Sequence, residues 1–148
     1  MTTRPRERGS VLIMVPALVL VLLILGAIAV DASIAYLAHR QLADFTTSVA
    51  DRAAASALDA SAFYGAGIVR IDPSVAQAVA TQSEAVANAD GLDITSLTVT
   101  VSADGRAVTV RATATAHTVF GVAVGGRRTF TVAASTTTDV EEVQAQGP

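Results

Sequence analysis

The side chains able to do chemistry are few and scattered. His39 stands beside Arg40 in a helical stretch, and His117 closes a strand-like run. Neither has the serine or carboxylate partners, at the required spacing, of a catalytic triad or a metal pair, so both read as surface or packing residues. Asp90 and Asp93 flank Gly91, but the alternation of oxygen ligands that a calcium loop needs does not follow them. Gly121-Val122-Ala123-Val124-Gly125 lacks the serine of a nucleophile elbow and the Lys-Ser/Thr of a phosphate loop. The chain has no cysteine, which excludes a disulfide framework, a thiolate metal site and a Cys nucleophile. No catalytic, cofactor-binding or metal residue is assigned, and the chain reads as non-enzymatic. The acid that stands out is Asp31, because of what precedes it.

Val11 to Val30 holds twenty residues without a charge, amide or histidine, fourteen of them Leu, Ile or Val. A helix of that length covers roughly 30 Å, the hydrocarbon thickness of a bilayer. The fourteen large aliphatics together favour insertion by about 4 to 8 kcal/mol. Pro16, early in the run, predicts only a mild kink. Arg4, Arg6 and Arg8 precede the run and Asp31 follows it directly. The excess of arginine on one side predicts a cytoplasmic N-terminus and an extracytoplasmic body, a single-pass cell-membrane protein. A carboxylate at that point either marks the water boundary or pairs with an arginine of a neighbouring subunit. The same features also fit a secretory signal, with a basic start and Ala27-Ile28-Ala29 as a small-x-small cleavage site. The run is longer than the usual ~7 to 15 apolar residues of such signals, and helical patterning continues through the site. These two features favour a retained span, with release after Ala29 as the alternative.

The remaining 118 residues suit one small domain. Beyond residue 30 there are seven arginines, no lysine and twelve acids, a formal charge of −5. An acidic body without a basic patch argues against nucleic acid as a partner. With aromatics at 4% and no tryptophan, the core must be built from Val, Ala, Leu and Thr, which bury little area each.

Along the exported part, Ile34, Ala38, Leu42, Phe45, Val49 and Ala53 recur at helical steps, with Arg40, Asp44, Asp51 and Arg52 off that stripe. One long helix is predicted from about Val11 to Ala60, ended by Gly65 and Gly67, its exported half docking through Ile34, Leu42, Phe45 and Val49. Asp72-Pro73 predicts an N-cap and first position of a second helix running to about Ala89, with Val75, Val79 and Val86 as its apolar face. Then the period changes to two. Leu97, Val99 and Val101, followed by Val108, Val110 and Ala112, alternate with polar residues around Asp104-Gly105, a hairpin signal in which both turn positions take positive φ. That hairpin would pair Val101 with Val108, Val99 with Val110 and Leu97 with Ala112. A third strand, Arg128 to about Thr138, sets Phe130, Val132 and Ala134 on one side. The fold expected is α+β: a long N-terminal helix, a short second helix and a small antiparallel sheet of about three strands. Its parts are a cytoplasmic tail (1–10), a transmembrane helix (11–30), an exported domain (31–139) and a flexible acidic tail (140–148).

Several residues now carry a resemblance. Arg8-Gly9, the apolar span, Val30-Asp31, Tyr36, Arg40, Leu42 and the run Ala50-Asp51-Arg52-Ala53-Ala54-Ala55 resemble the TadE/TadG-like membrane proteins of Tad (tight adherence) pilus assembly, over about residues 8–58. Asp51 sits about one helical turn later than in that pattern, which leaves its face nearly unchanged. Prepilin-type cleavage after Gly9 would leave Met14 where polymerising pilins carry Glu. The resemblance therefore implies a minor, accessory, pseudopilin-like component of a Tad/Flp-type pilus or secretion system. Its implied partners are the membrane, platform proteins, a cytoplasmic ATPase and pilin-like subunits, with oligomerisation through the N-terminal helix. The alternative is a small secreted binding domain freed by cleavage after Ala29.

One loop is too apolar for a solvent loop. In Val119-Phe120-Gly121-Val122-Ala123-Val124-Gly125-Gly126, four of eight residues are Val or Phe, whereas connections are normally polar. Either Phe120 folds back as a core plug, or Val119, Phe120, Val122 and Val124 form a contact patch. In the second case Arg127 and Arg128 would meet an acidic partner or lipid headgroups.

Overall fold

The computed structural model describes residues 9–58, 70–122, 126 and 128–140, with side chains from Met14 onward. An unbroken helix, α1 (Gly9–Ser56), opens the chain and continues through Pro16. The strong helix formers Leu and Ala carry it, first as an apolar rod and then as an Ala-rich amphipathic segment. It ends earlier than expected. Ala57 accepts the Asp72 N–H through its carbonyl (2.7 Å), and Leu58 bridges Ile71 in antiparallel fashion. The chain thus leaves the helix to pair with the segment that returns. Gly65 and Gly67 lie outside the described residues.

Helix α2 (Pro73–Ala89) starts as the Asp-Pro pair predicts, the Asp72 carboxylate accepting the Ser74 N–H at 2.8 Å. It stops where the N–H of Leu92 reaches the Ala87 carbonyl and that of Gly91 reaches Asn88, Gly91 taking φ +91°, a Schellman arrangement. Its buried face differs from the expected one. Ala76 and Ala80 are fully buried, whereas Val75 and Val86 are exposed and only Val79 is half-buried. Small side chains let α2 lie close to the Ala-rich α1, which the branched valines would hold off.

Strands β1 (Ile94–Val101), β2 (Ala107–His117) and β3 (Thr129–Asp139) form an antiparallel sheet in that order. The register joins Val101 to Val108, Val99 to Val110 and Leu97 to Ala112, as the alternation requires. The turn itself is wider than a two-residue loop. Ser102 N–H reaches the Ala107 carbonyl, Gly105 N–H reaches the Ser102 carbonyl, and of the turn residues only Gly105 has positive φ (+72°). Asp104 keeps an ordinary φ, and its carboxylate braces the turn, accepting from Ser102 Oγ and from the Arg106 N–H (3.1 Å).

Both helices cover one face of the sheet, α1 over β2 and β3, and α2 over β1. The interior forms two clusters. Val49, Ala50, Ala53, Ala57, Ile71, Ala76, Ala80, Val108 and Val110 make the first; Leu42, Ala112, Ala114 and Val132 make the second, flanked by Phe45, Leu97 and Phe130 among others. Of the expected docking face, Leu42 and Val49 are fully buried, and Ile34 and Phe45 are half-buried. Val140 is tied in rather than frayed, packing on the first cluster and donating its N–H to the Arg106 carbonyl at 2.8 Å. The tails 1–8 and 141–148 lie outside the described residues.

Candidate functional site

The first half of α1 is long and apolar enough to cross a membrane, and among the described residues it stays unburied. From Met14 to Val30 only Ala27 is more than marginally covered. Immediately beyond, the domain closes on the helix through one acid. Asp31 Oδ1 accepts the backbone N–H of Val119 at 2.9 Å and of Phe120 at 3.1 Å. Charge-assisted hydrogen bonds of this kind are among the stronger ones available to a chain. They fix the β2–β3 connection against the helix at the exit point of the apolar run.

That connection is closed at its base and at its tip. At the base, the N–H and Oγ1 of Thr118 donate to the Arg128 carbonyl, at 2.9 and 3.1 Å. At the tip, the Gly126 N–H donates to the Gly121 carbonyl. A Cβ at Gly126 would stand 2.9 Å from the Gly121 oxygen, so only glycine permits this approach. Phe120 is not a core plug: it is 40% exposed, Val119 65% and Val122 53%. Val124 lies outside the described residues. Phe120 instead shares an apolar groove with Leu22, Leu23, Ile24, Gly26, Ala27 and Val30 of α1. A second groove is lined by residues that include Ile28, Asp31, Thr118, Gly121 and Phe130.

The other motif residues lie along the same helix without converging. Tyr36 is 68% exposed. Arg40 Nε lies 4.0 Å from Asp44 Oδ2 with both side chains in solvent, a pair contributing little to stability. Gly9 begins α1. Asp51 holds β3, accepting from Thr138 Oγ1 at 2.9 Å. Beside it, the buried Thr46 bonds Thr136 through their hydroxyls at 3.0 Å, and Thr47 Oγ1 meets the same Thr136 hydroxyl at 3.2 Å. These threonines escaped the sequence reading. Continuing the inward side of β3 from Phe130, Val132 and Ala134 by steps of two lands on Thr136 and Thr138, polar residues where apolar ones were due, and that was the available signal.

His39 and His117 are both exposed, on α1 and at the end of β2. Among the described residues no three His, Asp or Glu side chains gather as a metal site, and no buried side-chain nitrogen or oxygen lacks a hydrogen-bond partner. Asp104 is held below its ordinary value of 3.8, first by the Ser102 hydroxyl and then by the Arg106 backbone N–H, both groups of the β1–β2 turn. What the geometry offers is mechanical: a bare apolar rod, a small domain built on its continuation, and an apolar loop bonded to the joint. Comparison with protein-family models, with curated proteins and with solved structures finds no match to this chain.

Proposed function

We propose that this chain is a membrane-anchored, non-enzymatic accessory component of an envelope machine, a pseudopilin-like subunit of a Tad/Flp-type pilus assembly or secretion system. It would cross the membrane once, with its N-terminus cytoplasmic and its body extracytoplasmic. The observation that carries this reading is the single helix Gly9–Ser56, whose first half is bare and apolar and whose second half is the spine of the domain. A helix serving at once as anchor and core element suits a subunit that must be held in the membrane and presented to neighbours. The ordered set Gly9, Asp31, Tyr36, Arg40 and Asp51 supports the Tad assignment, and the exposure of Tyr36 and Leu37 leaves a helix face free for adjoining subunits or platform proteins.

One observation favours release as a small secreted binding domain. The buried residues begin at Leu42, so cleavage after Ala29 would leave both clusters intact. Cross-linking in native membranes, affinity capture through a C-terminal tag and mass spectrometry of the captured chain separate the readings. The pilus reading requires platform or pilin-like proteins in the cross-linked product and a chain that retains residues 11–30. A mature chain beginning at Val30 and recovered from the medium would replace it with the secreted-domain reading.

A further inference from the structure

We propose that the Val119–Val122 loop is a second membrane contact, a foot seated at the headgroup–acyl boundary of the outer leaflet beside the span. The proposal rests on the membrane-anchored reading and adds what the exported domain does at the bilayer surface. Three apolar side chains, Val119, Phe120 and Val122, stay exposed on a loop whose backbone is locked by Asp31 on one side and by the Gly121–Gly126 closure on the other. Adjacent exposed apolar side chains of this kind mark protein or membrane contact sites.

The occupant follows from where the loop stands. Phe120 lines one groove with Leu22, Leu23, Ile24, Ala27 and Val30, all within the last part of the apolar run. Ala27 is three residues before Val30, and Leu23 seven, so along the helix axis they lie about 4.5 and 10 Å below it. The loop therefore overlaps the outer end of the span in height and does not stand clear above it. Apolar groups at an interface lie about 5–10 Å into the boundary between headgroups and acyl chains, the same depth. Through that shared groove Phe120 adjoins the apolar surface of the helix, so lipid that covers the one reaches the other. The exposed Arg128 at the base of the loop would lie at headgroup level, where anionic lipid attracts it.

The chain lacks tryptophan, so a single introduced one reports its own surroundings. Phe120→Trp, Val122→Trp and Leu20→Trp are each prepared in the full-length chain and reconstituted in phosphatidylcholine vesicles containing phosphatidylglycerol. Emission wavelength is recorded, together with quenching by aqueous iodide and by lipids carrying a nitroxide near the headgroup or near the bilayer centre. The expected result is blue-shifted emission at positions 120 and 122, lost to the shallow nitroxide more than to iodide or the deep nitroxide, with position 20 lost to the deep nitroxide. Lipid quenching at 20 without lipid quenching at 120 and 122 overturns the foot and leaves the span standing. Blue-shifted emission at 120 that neither lipid nor iodide quenches also overturns it, assigning the loop to a protein contact. Absence of lipid quenching at 20 removes the span and the foot together. Position 122 is a second, more exposed test site should the change at 120 disturb the loop.

Discussion

Replacing Leu42 by alanine removes the largest fully buried side chain of α1 from the second core cluster. Its immediate neighbours are Ala112, Ala114 and Val132, on strands paired in register, and their short side chains cannot reach into the space left. The half-buried Phe45, Leu92, Leu97 and Phe130 around the cluster can swing inward only in part. Leu→Ala changes in cores cost about 2.7 to 5.0 kcal/mol, depending on how far the site collapses; with this partial relaxation about 3 to 4 kcal/mol is expected. Against the typical total of about 5 to 15 kcal/mol for a domain, that is a large share. Urea titration of the full-length chain in detergent micelles, followed by far-ultraviolet circular dichroism, measures the loss. Leu37→Ala is the matched control: it lies on the same helix, is 54% exposed, and should stay within about 0.5 kcal/mol of the parent. Equal midpoints for the two variants would refute the docking of α1 on the sheet through Leu42.

Phe45→Ala should cost clearly less than the ~3 to 5 kcal/mol of a fully buried phenylalanine, because Phe45 is only half-buried; the same titration checks this. Asp31→Ala should speed amide hydrogen exchange at Val119 and Phe120 while leaving the Val108 and Val110 amides protected, and Asp31→Asn, which keeps an acceptor, should do so less. The Asp104 contribution to the β1–β2 turn should be present above its ordinary value of 3.8 and lost as pH falls through the lower folded value. Proton-detected titration of the turn follows this, and Ser102→Ala should raise the Asp104 midpoint.

Much of the architecture could be read from local pattern because the controlling forces are local. Period-two alternation in β1 and β2 specifies register by itself, since a one-residue slip would turn Val99, Val101, Val108 and Val110 to the wrong face. The Asp72-Pro73 start of α2 is equally local. The misses lie where a partner distant in sequence decides. The end of α1 at Ser56 is set by pairing of Ala57 and Leu58 with Ile71 and Asp72. The buried face of α2 is set by close approach to α1, which selects Ala76 and Ala80 over the valines that hydropathy favours. At the candidate site, the sequence marks Asp31 by its position and Phe120 by its loop, yet they are 89 residues apart. Nothing in either stretch announces that the carboxylate closes on the amides of the loop.

The unbroken α1 also makes the protein a lever. No turn or glycine pair interrupts the helix between Val30 and Ser56, so the domain cannot swivel independently of the part below it. Ser56 lies about 39 Å along the axis from Val30, and transmembrane helices tilt by up to ~40° as bilayer thickness and neighbours dictate. A change in tilt of about 10° would then displace the far end of the domain by about 7 Å, more than one helical turn. In a bilayer, thinning, thickening or lateral pressure on the rod would be read out as the height and lean of the sheet above it.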